Sequence, residues 1–247
     1  MGNIDISKAK KIAEEVKAAP NKKQVCGEAA AEYVKSGMVV GLGTGSTVYY
    51  TIKKLGEKKR NGMEITGIPT SIQTETIAGQ EGIMLAELRD CDKIDITIDG
   101  ADEVDPHLNL IKGLGGALLR EKIVAMNSKK MIVVIDDSKL VTILGEKTPV
   151  PVEVVKYAWK ATAERLRMLG CEPKPRMSGS GDVMFISDNG NFILDCKFPK
   201  IEDPYTLAQQ IKAIPGVVEH GLFVNLASVI MVGSEKRVRV IERETAH

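Results

Sequence analysis

The chain has no apolar run long enough for a membrane: its longest aliphatic stretch, MIVVI at 131–135, falls far short of the roughly 20 residues a spanning helix needs. It has few cysteines and histidines, and none clustered at zinc spacing. The cysteines stand at 26, 91, 171 and 196 without a CxxC, and the histidines are His107, His220 and His247, so no structural zinc is expected. Neither charge dominates: 34 Lys and Arg face 33 Asp and Glu, a net charge of +1, which provides no field to hold a nucleic acid. No charged-then-apolar leader opens the sequence, and Ile6 stands where a myristoylation signal requires Ser or Thr. With dispersed cysteines, this makes a reduced, cytoplasmic setting the expectation.

Its 247 residues, 43% hydrophobic and 27% charged, suit one large domain or two modest ones with a core of their own. A helical period over 21–36 ends at Gly37, and the apolar MVVGL at 38–42 follows, a strand covered on both faces. GTGS then turns the chain into a helix near 46–58. The same rhythm returns in a strand at 64–69, a helix from Ser71, a strand at 93–99, a helix at 118–127 and a strand at 131–136. Such alternation predicts a doubly wound, mostly parallel, Rossmann-like α/β sheet.

The proline-rich TPVPV at 148–152 suggests a domain junction. Beyond it, a strand near 150–155, a helix over 156–169, strands near 183–187 and 191–196, a helix from Pro204 and a strand near 217–225 give the βαββαβ order of a smaller ferredoxin-like α+β domain. The expected boundaries are 149–224 for that domain, and 1–148 with 225–247 for the catalytic one. LASVIMVGS should return to the first sheet, and residues 1–19 read as a peripheral helix.

Two glycine loops and two acidic or basic strand ends carry the candidate chemistry. GLGTGST at 41–47 brings backbone amides, the Thr44, Ser46 and Thr47 hydroxyls and a helix start to one place, which suits a phosphate; the alternative is a tight turn without a ligand. It is no nucleoside-triphosphate loop, because no lysine stands between Gly45 and Ser46, and it departs from the dinucleotide fingerprint at Ser46. DGADEVD at 99–105 ends an apolar strand, where open α/β sheets bind ligands, and Asp99 and Asp102 are placed to converge on a substrate hydroxyl. An acidic surface turn or a magnesium site are the other readings. KGLGGALLREK at 112–122 joins Lys112, a second glycine loop and a helix bearing Arg120, Glu121 and Lys122; in isolation REK is a solvated helix face. IDDSKL at 135–140 also ends a strand, which allows Lys139 to project toward the same edge; in isolation it is a surface lysine.

Together, TGST at 44–47, DGADE at 99–103, KGLGGALLREK at 112–122 and DDSKL at 136–140 resemble the ribose-5-phosphate isomerase A family, over roughly nine-tenths of the chain. The resemblance implies interconversion of ribose 5-phosphate and ribulose 5-phosphate in the pentose phosphate pathway, through an enediolate and without a redox cofactor or metal. It makes Glu121 the catalytic base, with Asp99, Asp102 and Lys112 also catalytic. Substrate binding falls to Thr44, Gly45, Ser46, Thr47, Asp99, Gly100, Ala101, Asp102, Lys112, Gly113, Leu114, Gly115 and Lys139, with Lys23 taken as the N-terminal phosphate lysine. A homodimer or homotetramer is expected. Leu114 departs from the family, which often has glycine there. A helix start favours the charged form of Glu121, so burial must oppose it if the group is to act as a base. Two rival classes are a sugar-phosphate-sensing regulatory module, which requires an attached DNA-binding unit, and a nucleotide-binding oxidoreductase.

Overall fold

In a computed structural model, residues 22–179, 181–235 and 237–243 are described, so the expected helix over 1–19 lies outside the described residues. The apolar, β-branched segments form the centre of a seven-stranded sheet of order β14-β13-β7-β4-β1-β2-β3. Its strands are β1 (Val39–Leu42), β2 (Thr66–Pro69), β3 (Met84–Leu85), β4 (Ile96–Asp99), β7 (Met131–Asp136), β13 (Val229–Gly233) and β14 (Val238–Glu242). All neighbours pair in parallel except β13 with β14. Every residue of β7 and β13 is buried, as unalternating apolar strands demand.

From β1 the chain winds outward through β2 and β3, and from β4 it winds the other way, so the topological switch point lies between the C-terminal ends of β1 and β4. The helices of this unit are α1 (Lys22–Ala31), α2 (Ser46–Arg60) and α3 (Ile72–Gln80); Ser71 caps α3 by accepting the Thr74 amide at 3.0 Å. Leu42, Ile52, Leu55, Ile98, Ile132 and Met231 share its core. LASVIMVGS does return to this sheet, as β13. The added edge strand β14 has a mixed, largely exposed pattern, which hides it from a search for apolar runs.

The chain divides into two compact units: the described residues up to Gly100 with Ile123–Ser138 and those from Ala227 on, and Ala101–Lys122 with Lys139–Leu226. The second unit therefore takes in 101–122 and 139–148, segments expected in the first. Burial explains this. β5 (Glu103–Val104) and β6 (Leu110–Ile111) pair in a small antiparallel sheet with β12 (Leu222–Phe223). The fully buried Glu103 accepts the amides of Gly145 and Lys147 at 2.7 Å and that of Thr148 at 2.5 Å, tying the proline-rich stretch to DGADE.

The second unit also holds β8 (Val150–Val154), α5 (Trp159–Arg167), β9 (Glu172–Pro175), β10 (Phe192–Lys197), α6 (Pro204–Lys212) and β11 (Val217–His220), in sheet order β11-β8-β10-β9. This is the expected βαββαβ arrangement, with two corrections. The second strand is Glu172–Pro175, not 183–187, which makes only isolated bridges through Met184 and Ile186. β9 is an edge strand, and Arg176 donates its amide to Ile193. By alternation, Pro173 and Pro175 fall where an amide would face away from β10, so the missing donors leave the ladder intact. The expected strand at 217–225 is likewise two, β11 and β12, in different sheets. Helix α4 (Leu118–Met126) follows the second glycine loop.

Candidate active site

In the first unit, β1 ends at Leu42 and delivers GTGS to the switch point beside Asp99, the last residue of β4. Asp99 is fully buried; its Oδ1 accepts the Thr44 amide at 3.1 Å and the Gly100 amide at 2.7 Å. A Cβ at Gly43 would lie 2.2 Å from that oxygen, so only glycine admits the carboxylate here. The Thr44 hydroxyl joins Thr70, Ser71 and Thr74 at 2.9, 2.8 and 3.2 Å, a hydroxyl cluster that fixes the loop from the end of β2. Gly45 (φ 130°) precedes α2, and no side chain caps the first turn of that helix, where Ser46 and Thr47 begin.

Helix α1 brings a lysine to the same turn. Gly27 allows it to approach closely, since a Cβ there would stand 2.5 Å from the Thr47 carbonyl oxygen. Lys23, one turn earlier, donates from Nζ to Ser46 Oγ at 2.9 Å. Uncapped amides, two hydroxyls and an ammonium thus converge at the positive end of a helix, the chemistry of an anion site.

In the second unit, Lys112 directly follows β6 and Glu121 lies in the first turn of α4. They meet, Lys112 Nζ to Glu121 Oε1, at 3.4 Å, and are 2% and 4% exposed. The Phe223 ring lies 5.5 Å from the Lys112 ammonium and 4.9 Å from that of Lys122. Asp102 accepts the Leu114 amide at 3.0 Å, which joins DGAD to the KGLG loop. Burial raises the Asp102 pKa above the ordinary carboxylate value, while the Leu114 amide and the charges of Lys112, Lys139 and Arg176 oppose the rise. Gly113 is buried; Leu114 and Gly115 are exposed, and Ala101 and Lys139 are half-buried.

The DGADEVD carboxylates divide by task. Glu103 ties down 145–148, and Asp105 accepts the amides of His107 and Asn109, both at 2.8 Å. Arg176 had no signal in the sequence. Its guanidinium donates to the carbonyls of Gly113 at 2.9 Å and Leu114 at 2.8 Å, and pairs with Asp195. A contact between residues 63 apart in sequence leaves no local pattern. The hydroxyls of Thr70 and Ser71 did have one, their place at the end of a strand beside GTGS. Among the described residues, no group of three or more His, Cys, Asp or Glu side chains is arranged to hold a metal ion, and no helix is long and apolar enough to cross a membrane.

A doubly wound sheet with a polar glycine loop at its switch point, joined to a unit carrying buried ionisable groups, defines an α/β enzyme of small-molecule metabolism. Residues 66–237 match the family model described as ribose 5-phosphate isomerase A (phosphoriboisomerase A). The chain is 50% identical over 220 residues to the ribose-5-phosphate isomerase A of Bacillus mycoides, covering 89% of this chain and 98% of that protein. It is 54% identical over 214 residues to that of Gluconobacter oxydans, covering 86% and 92%. Among solved structures, a D-ribose-5-phosphate isomerase in complex with phospho-erythronic acid superposes with a TM-score of 0.87 at 46% identity, covering 90% of this chain and 98% of the other. The Plasmodium falciparum enzyme does so with a TM-score of 0.84 at 41% identity, covering 91% and 98%. The chain belongs to the ribose-5-phosphate isomerase A family. It is an aldose-ketose isomerase, and the enediolate route is the general one for that family.

Proposed function

We propose that Glu121 is the base that carries a proton between C2 and C1 of ribose 5-phosphate, and that Lys112 balances the charge developing on oxygen. The observation that carries this reading is their contact at 3.4 Å, both almost fully removed from water. Within the open-chain aldose, Glu121 takes the C2 proton; the C–H electron pair forms the C1=C2 bond, and the C1 carbonyl oxygen becomes an oxyanion facing a cation. Transfer of the O2 hydroxyl proton to O1 through a protein carboxylate, with return of the abstracted proton from Glu121 to C1, gives the ketose, so atoms and electrons balance within the substrate and protein groups. Asp99 and Asp102 handle hydroxyl protons during ring opening and along the enediolate. The raised proton affinity of Asp102 suits a group that must both accept and return one.

The phosphate is held at the start of α2 by the amides after Gly45, the Ser46 and Thr47 hydroxyls and Lys23, while Thr44, Gly100, Ala101, Gly113, Leu114, Gly115 and Lys139 complete substrate binding. A relative described in complex with phospho-erythronic acid, a small phosphorylated acid, supports a ligand of this class. The enzyme works in the cytoplasm as a homodimer or homotetramer, without a metal or redox cofactor. Replacing Glu121 with Gln and assaying ketose formation from ribose 5-phosphate tests the central assignment: turnover should collapse, and near-normal turnover would remove Glu121 from the mechanism.

A further inference from the structure

Two basic residues flank Glu121, and neither is the solvated group that REK suggests on its own. At about 100° of rotation per residue, Arg120 and Lys122 leave α4 on either side of the direction taken by Glu121. Lys122 is buried, and its ammonium donates to Glu219 Oε1 at 2.8 Å and to the His220 carbonyl at 2.5 Å. Arg120 donates from Nε to Asn189 Oδ1 at 2.9 Å and from Nη2 to the Asp188 carbonyl at 3.2 Å. The loop that receives Arg120 is itself held from beneath. Fully buried Glu153 accepts, through Oε1, from Ser187 Oγ at 2.7 Å, Asn191 Nδ2 at 2.9 Å and Asn189 Nδ2 at 3.2 Å.

The two ties end at one place in the sheet. Glu219 and Glu153 are register partners across β11 and β8, so their side chains stand on the same face. Two carboxylates side by side on a covered sheet face is an arrangement that stability alone disfavours, because like charges repel and burial strips their water. Here each is held by a different tie: Glu219 by Lys122 and by Lys212 at 3.0 Å, Glu153 through Oε1 alone by the loop that grips Arg120, its Oε2 being buried without a hydrogen-bond partner among the described residues.

We infer that Glu153 and Glu219 are positioning residues for the isomerisation, fixing the rotation of α4 through Arg120 and Lys122 so that Glu121 meets the substrate carbon from one direction. The inference rests on the reading of Glu121 as the base. Proton transfer is sensitive to placement, and an error on the order of 1 Å costs about 100-fold in rate. Loosening either tie should therefore slow chemistry while leaving substrate affinity nearly intact.

The test uses the full-length variants Glu153→Gln, Glu219→Gln and Arg120→Met, each checked for a native thermal transition. Steady-state kinetics would be run on ribose 5-phosphate and on its C2-deuterated form. Expected are a fall in kcat of ~10- to 100-fold, a KM changed by less than about threefold, and a larger deuterium isotope effect on kcat. Arg120→Lys, which keeps one donor, should recover part of the rate. Folded variants with unchanged kcat would overturn the inference, as would kcat and KM shifting together with the isotope effect unaltered. Should Glu153→Gln fail to fold, Arg120→Met cuts the same tie from its half-buried end, and full activity there is equally decisive. Glu121→Gln, measured in parallel, separates the two claims: if it is inactive while the other variants are normal, only the positioning role falls, and if it is active, the base assignment falls first.

Discussion

Around Ser46 the first unit offers an anion main-chain amides, hydroxyls and one lysine, Lys23, which donates to the Ser46 hydroxyl. The second unit does the opposite. It takes Lys112, Glu121, Lys122 and His220 out of water and sets carboxylates against ammonium groups, Glu121 beside Lys112 and the partly buried Glu219 beside Lys122. Under the proposed function labour divides accordingly: largely backbone groups for the phosphate, and buried ionisable side chains for the proton transfer.

The largest effect should come from the second unit. Glu121→Gln keeps the side-chain shape but accepts no proton, and positioned proton transfer supplies about 10²- to 10⁴-fold, so kcat should fall by at least that range with a modest change in KM. Replacing Ser46 and Thr47 together with Ala should do the reverse. It should weaken binding by about 1.5–3 kcal/mol per charge-assisted hydrogen bond lost, read as a raised KM, and an unchanged KM would take the loop out of the phosphate grip.

Acid should distinguish the units by stability. Burial lowers the His220 pKa from 6.5 to about 3, with Lys122 and Lys212 acting in the same direction and Glu219 opposing. The neutral ring also accepts the Leu222 amide at Nδ1, at 3.3 Å. On unfolding, the ring binds a proton below about 6.5, so its contribution is full above that pH and is lost as pH falls toward 3. Glu219 is held down at about 2, from 4.5, by Lys122 against its own burial, and its contribution disappears in the more acid window between those values. His220→Asn should flatten the decline of the melting temperature between pH 6.5 and 4 in thermal scans, while an unchanged slope would assign acid lability elsewhere. The smallest effect belongs to chelation: exhaustive EDTA should leave turnover unchanged, and loss restored by magnesium would assign DGADE to a metal.

The same contrast decides what was legible in the sequence. The first unit could be read almost strand by strand, because parallel strands buried on both faces appear as unbroken apolar runs such as MVVGL and MIVVID. Its anion loop announced itself through glycines next to hydroxyls. The second unit was harder. EPKP is a strand only because it lies at an edge, and Glu103 belongs to the smaller unit only through amides more than 40 residues away. Glu121 and Lys112 were named from a motif, but their contact, the Arg176 clamp on the loop and the ties on Arg120 and Lys122 are long-range pairings that no local pattern encodes.

Arabinose 5-phosphate tests the division of labour most directly, because it differs from ribose 5-phosphate only at C2. Its phosphate and most hydroxyls retain the same partners, yet its C2 hydrogen lies on the opposite face, out of reach of a carboxylate fixed on a helix. The expected result is competitive inhibition with little or no conversion to ribulose 5-phosphate; comparable turnover of the two epimers would mean that Glu121 is not a one-faced base and would contradict the account.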